Sequence, residues 1–438
     1  MRLFLTVIFG TIFFAWSYAQ ELNPEEMIFE TDTLDDGVYA VRYENEVIAQ
    51  IGKVQNGLKV GIWKNFHRNG QPKEFVEYEN GLKTGQQTKY DKYGRLINRS
   101  NFKNDIIDGL YEEFYENGVV ALIGKYTEGV KDSTWTERDP EGDIVYIKNY
   151  QKGQLHGLQQ YFYAIGRIKS EEHYNNGVEM GNWTYYYDNR KVAKKLRFKN
   201  GLLNGPYAEF FQNGMKSVEG QYLNNLKTGK WLSFYSNGQL FSIGNYVADE
   251  RDGLWKHFDE KGNLSYEGKY LKGLKTDQWI YYYPSGELSE IGSYLSDEKD
   301  GLWGAFYENQ QLKQETAWEM GRLMEASPFF TPKGIELDKG TLAKGNGLVY
   351  LYYEDGTIES ALTYKNGVPN GPAKYYDGKG NLLAKGEFAN GLKEGTWSEF
   401  LRGGKVEAKM EYQSGEQIGN TLYFNSNNKP IRFLNNSD

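Results

Sequence analysis

The sequence has no cysteine in 438 residues, and only four histidines. That excludes disulfides, cysteine nucleophiles, thiolate metal sites and a lipidated N-terminal cysteine. It also leaves little for histidine-based catalysis or metal binding. Basic charge is not in excess: 51 Lys and Arg face 59 Asp and Glu, for a formal net charge of -8. Such a balance disfavours nucleic acid as a partner. After the first twenty residues no apolar run is long enough for a transmembrane helix. What the chain does have is aromatic residues, at 16%, and 51 glycines. The mean hydropathy is -0.71. Disordered chains are poor in aromatics, so a folded chain is expected.

The N-terminus is a separate object. Arg2 is the only charge in 1–20, and 3–16 is mostly apolar. Ser17 and Ala19 place small residues before a cut ahead of Gln20. The segment 1–19 reads as a cleaved secretory signal peptide, which implies export to a periplasmic, cell-surface or secreted location. Residues 20–36 are expected to cap the N-terminal edge of the folded body.

From residue 37 onward the chain repeats with a period of 24. Units open at 37, 61, 85 and so on to 301 without a slip, giving twelve units over 37–324. A short degenerate unit fills 325–346, and 347–438 holds three full repeats and a C-terminal partial one. Numbering each unit from offset 0, eight of the ten tryptophans fall at offset 2. Offset 5 is Phe or Tyr in 15 of 17 units, with Arg42 and Arg138 as the exceptions. Offset 17 is aromatic in 14 of the 15 full-length units.

Each unit reads as a β-hairpin and a connecting turn. An aromatic run such as Trp279-Ile280-Tyr281-Tyr282-Tyr283 favours an extended strand. Asn-Gly pairs such as Asn237-Gly238 follow at offsets 8 and 9, and a second set, such as Asn80-Gly81, closes the unit. Glycine supplies the positive φ that tight hairpin loops need. A lone hairpin is marginal in water, so neighbouring units must share their aromatic faces. The expected fold is all-β: an elongated tandem hairpin array forming a single twisted antiparallel sheet, and monomeric.

Two blocks, Glu267-Gly268-Lys269-Tyr270 and Lys385-Gly386-Glu387-Phe388-Ala389-Asn390-Gly391, resemble the heart of a MORN repeat. The 24-residue period and the Trp-x-x-Phe/Tyr-Tyr strand are similar to the bacterial MORN repeat variant. Many proteins with that variant carry the label YwqK-family antitoxin, which implies a partner toxin. In eight units Trp stands where the MORN pattern has its second Gly.

No catalytic, cofactor or metal site is expected. His67, His156, His173 and His257 occupy four different offsets, so the repeat does not gather them. The acidic turns 249–252 and 297–300 are carboxylate-rich, and calcium binding is an open alternative to solvated turns there. The aromatic rows have two readings as well, core packing or a binding stripe. As a stripe they comprise Trp183, Tyr185, Tyr187, Trp231, Tyr235, Trp279, Tyr281, Tyr283, Trp303 and Tyr307. A three-residue hairpin loop would place offset 11 on the face of offset 5; a loop of two or four would place it with the tryptophans. The functional expectation is an exported, non-enzymatic scaffold that binds an unidentified protein through this surface. A cell-envelope glycan binder and an antitoxin-like neutraliser are the alternatives.

Overall fold

In a computed structural model the described residues are 36–425, 427 and 429–434. The expected signal peptide and, apart from Asp36, the expected cap lie outside them. The chain divides into two compact units, 1–178 and 179–438.

In the first unit the strands run from Gly37–Arg42 to Arg167–Asn175, each antiparallel to its neighbour in sequence. The second unit continues the same plan from Gly181–Tyr186 to Arg322–Ala326. The degenerate unit then interrupts the ladder. Phe329–Phe330 pairs only with Glu336–Leu337, and a separate eight-stranded sheet runs from Gly347–Tyr352 to Pro430–Leu434. At the interruption Leu323, Ala326, Leu342 and Val349 form a small core, with Trp318 and Tyr364 packed on it. Backbone bonds from Leu323 N to Gly367 O (2.9 Å) and from Gly345 N to Met324 O (2.8 Å) splice the chain there. Among the described residues the only helical segment is a single 3-10 turn, Ala164–Gly166.

The repeat explains the strands. Within a unit, Tyr235 N donates to Gln239 O at 2.8 Å and Gly238 N to Tyr235 O at 2.9 Å. This closes a three-residue loop, 236–238, with Gly238 at φ 88°. Phe234 then pairs with Leu240, and Phe241 is left over as a bulge. Offset 11 therefore shares the face of offset 5, opposite the tryptophans. Between units the turn has two residues, both left-handed: Asn80 at φ 50° and Gly81 at φ 83° join Glu79 to Leu82. That is the turn whose twist matches antiparallel strands.

One face is packed and the other open. Almost all buried large side chains lie on the face of offsets 2, 13, 15 and 17: Trp63, Trp135, Trp279 and Trp303 are at most 2% exposed. The opposite face carries offsets 1, 3, 14 and 16, where half-buried and exposed polar residues predominate.

Candidate functional site

The packed face is built from one module that recurs at seven junctions between units. A glycine at offset 15 lies beneath the indole of the next unit. A Cβ added at Gly220, Gly244, Gly268 or Gly292 would fall 2.0–2.2 Å from the ring of Trp231, Trp255, Trp279 or Trp303. At six of the seven the indole N–H donates to the next backbone carbonyl, as from Trp255 to Asn245 (3.1 Å) and from Trp303 to Ser293 (2.9 Å); the buried Trp231 N–H has no such partner. A cation four residues before the tryptophan covers the ring. Lys227, Arg251, Lys275 and Lys299 stand 4.6, 4.8, 4.5 and 3.8 Å from their indole centroids. Such contacts stabilise by ~0.5–2 kcal/mol each, more as water is excluded. Burial pulls the ammonium groups of Lys59, Lys131 and Lys275 below their ordinary value. Offset 17 supplies the edge contacts: Tyr246 on Trp255 at 5.2 Å, Tyr270 on Trp279 at 5.1 Å and Tyr294 on Trp303 at 4.9 Å.

Trp183 is the in-phase tryptophan outside this pattern. The corresponding glycine and cation positions hold Glu172 and Glu179, and its ring packs on Phe198 at 4.6 Å.

This geometry corrects the reading of these rings as an exposed stripe. Trp183, Trp231, Trp279 and Trp303 are buried, and so is Tyr307. Tyr187, Tyr235 and Tyr283 are half-buried, and their hydroxyls are occupied. They donate to the carbonyls of Phe210 (2.6 Å), Phe258 (3.0 Å) and Phe306 (2.8 Å) in the following unit. Tyr281 and Tyr294 share a hydroxyl hydrogen bond of 3.3 Å, and burial raises both phenols. Tyr185 lies 6.4 Å from Trp183 within the same packing. The ten residues do share one face, but around Trp231, Trp279 and Trp303 that face is sealed by the cations of the preceding turn and by neighbouring rings. The missed signal was in the sequence: Gly at offset 15 and Lys or Arg at offset 22 accompany Trp at the next offset 2.

The acidic turns have a structural part to play. Asp249 and Asp297 each accept a backbone N–H from the preceding turn, at Lys227 (2.6 Å) and Lys275 (2.7 Å). Among the described residues no three His, Asp or Glu side chains gather as a metal site would require. His257 sits inside the aromatic stack, 4.4 Å from Tyr266 and 5.5 Å from Phe241. Neither of its ring nitrogens has a hydrogen-bond partner.

The open face carries the remaining candidate. In the second unit a groove of about 620 Å³ runs across strands Gly181–Tyr186 to Leu226–Phe234. Two registered rows build it. One is Thr184, Lys195, Ala208, Glu219 and Leu232; the other contains Asn182, and Pro206 beside Gln221, with Lys230 beyond. The short side chains Pro206 and Ala208 form its floor.

Six segments, 59–80, 107–128, 155–176, 227–248, 251–272 and 346–366, match the MORN repeat variant. The chain is a MORN repeat variant protein. No curated protein matches its sequence. Similar solved structures include a TcdB2–TccC3–Cdc42 complex, 11% identical over 90% of this chain and 25% of that one, with a TM-score of 0.15. Another is a TcdB2–TccC3 complex, 12% identical over 93% and 27%, at 0.14. The Photorhabdus luminescens Tc holotoxin pore is 11% identical over 89% and 24%, also at 0.14. The chain spans about a quarter of the length of these structures.

Proposed function

We propose that the chain is an exported, non-enzymatic scaffold that holds a partner protein against the open face of its hairpin sheet. One observation carries the reading: the glycine–tryptophan junctions seal the tryptophan face internally, while the opposite face of offsets 1, 3, 14 and 16 carries polar side chains at the surface. Repeat arrays with this division of labour present long binding surfaces. Export rests on the apolar segment 3–16 and the small residues before Gln20.

Cross-linking mass spectrometry on the native chain in its host tests the reading. Cross-links to a partner are expected at open-face lysines, including Lys230, Lys256 and Lys374, and not at Lys227, Lys275 or Lys299 over the indoles. Partner cross-links confined to the second set, or none at all, overturn it. The same spectra should show a mature terminus at Gln20; an intact Met1 overturns export and favours the antitoxin-like alternative. Capture of glycan with no protein favours the envelope-glycan alternative.

A further inference from the structure

The open face beside the groove carries a concentration of positive charge. Six of the ten residues at 190–199 are Lys or Arg, in a protein whose formal net charge is -8. Two are already engaged: Lys194 Nζ lies 3.1 Å from Glu209, and Lys191 Nζ donates to Asn213 O at 2.6 Å. The other strand cations alternate. Lys195, Arg197 and Lys199 are exposed at every second position of Val192–Lys199, so all three stand on the open face. Phe198, between them, packs on Trp183 on the other side. Among the described residues none of these three makes an ion pair. Lys230 adds a fourth exposed cation on the far wall of the groove. The one carboxylate in the groove, Glu219, is taken by Lys216 at 2.5 Å. The site is therefore a basic row, Lys195, Arg197 and Lys199, along one strand; Lys195 also lines the groove, whose Thr184, Pro206, Ala208 and Gln221 lie to its sides.

We propose that this basic row, on the strand that borders the groove, binds an extended acidic segment of the partner protein. The inference rests on the scaffold reading and names the chemistry of its partner. Charge complementarity sets the sign of the ligand. Spacing sets its form. Lys195, Arg197 and Lys199 recur every ~6.8 Å along the strand, and an extended peptide with carboxylates at alternate residues repeats at the same ~6.8 Å. Such a segment lies along the strand direction and sets one carboxylate opposite each cation. Its other side chains turn away from the basic row, toward solvent.

The test is a titration of the full chain with a fluorescent, acetylated peptide of alternating Glu and Thr. Binding is expected, weakening as salt rises. The triple variant Lys195→Ser, Arg197→Ser, Lys199→Ser should bind about tenfold or more weakly, since three facing charges are removed. Lys261→Glu with Lys379→Glu, both exposed and elsewhere, should leave binding unchanged. All three substituted side chains are exposed, and an unchanged melting temperature certifies the triple variant. Three results overturn the proposal. One is equal binding by the triple and parent chains. Another is tighter binding of a helical peptide with the same number of Glu at every fourth position. The third is no binding of the peptide, whether or not polyuronate or polyphosphate binds. The peptide titration needs no identified partner. If it fails while open-face cross-links persist, the acidic-segment inference falls and the scaffold reading stands.

Discussion

At the scale of single residues, the tryptophans are explained by their neighbours rather than by their own type. A glycine beneath, a cation above and a tyrosine at the edge make a closed environment, and each part has meaning only with the others. Junctions without Trp at offset 2 fill the space differently: Val76 faces Gln87, Leu196 faces Tyr207 and Leu362 faces Ala373. This predicts a specific coupling. Gly268→Leu drives a side chain into the ring of Trp279, where a Cβ alone would lie 2.1 Å from it. Overpacking of this kind costs ~1–3 kcal/mol or more. Adding Trp279→Tyr recreates the pair found at Leu196 and Tyr207, and should recover much of the loss. Denaturant unfolding of the two single variants and the double closes the cycle. Strict additivity would mean that the pair is not a packing unit.

His257 gives the second residue-scale prediction. Burial, with Arg251 nearby, pulls its imidazole down to about 4 from an ordinary value near ~6.5. Below pH ~6.5 the unfolded chain takes up a proton that the folded chain refuses. Stability should therefore fall as pH drops from about 6.5 toward 4, and this contribution should level off below that. Seryl and phenolic neighbours face the ring, Ser242 and Tyr266 by register and Tyr281 beyond, and no carboxylate among them offsets the charge. Carboxylates elsewhere titrate in the same window, so the comparison must be with His257→Phe. The parent should lose more stability than this variant between pH 7 and 4.5 in denaturant melts. Parallel losses would show that His257 is neutral in both states or protonated in both.

At the scale of the element, the hairpin turns are stapled to one another. Asn237 Nδ2 donates to Glu260 O (2.9 Å) while its Oδ1 accepts from Gln239 N (2.9 Å), and the same pair of bonds recurs at Asn69, Asn117, Asn189, Asn213 and Asn309. Four units carry Asp at offset 6 instead. Asp259 closes its own turn by accepting from Asn263 Nδ2 (3.0 Å), Asn263 N (2.8 Å) and Lys261 N (2.9 Å), and these bonds hold its carboxyl below the usual range. The turns of Asp91, Asp139 and Asp259 each receive a staple from the preceding unit, whereas that of Asp377 follows Asp355, which has no amide to donate. Asn237→Asp replaces the donor with a carboxylate aimed at a carbonyl. It should cost about 1 kcal/mol or more, and hydrogen exchange should quicken at 258–263 before it does in other turns. The same change at Lys261, whose side chain makes no such bond, should leave exchange unaltered. Equal protection after Asn237→Asp would show that the staple adds nothing to the turn.

The hairpins, their period and both turns were legible in the sequence because glycine and aromatic positions recur in phase. The face that stays open was not. Alternation says which residues share a face, but here the lid over each indole comes from the end of the preceding unit, and one bulged residue after the loop reverses the phase of the second strand. The break at 325–346 was visible as a shortened unit; that it ends one ladder and starts another depends on the core of Leu323, Leu342 and Val349, which no periodicity announces.

At the scale of the whole molecule, stability in such an array comes from nearest-neighbour junctions more than from any global core. The junction chemistry then dictates which deletions are tolerated. Removing 229–252 is one full period, and it joins Thr228 to Gly253. Gly220 and Lys227 are then placed against Trp255, in the relation that Gly244 and Arg251 hold in the intact chain. The three-residue loops and the two-residue turns keep their order, and every strand keeps its alternation. Removing 229–240 is half a period. It fuses the turn after one unit directly to the second strand of the next, loses Trp231, and leaves Gly220 facing no ring. The full-period deletion should fold cooperatively, with a β-sheet circular dichroism spectrum like the parent's and a smaller denaturant m-value, in line with the surface removed. The half-period deletion should expose 205–260 to limited proteolysis. If the two deletions behave alike, the junction module does not set the register, and the array is held by contacts that span more than neighbouring units.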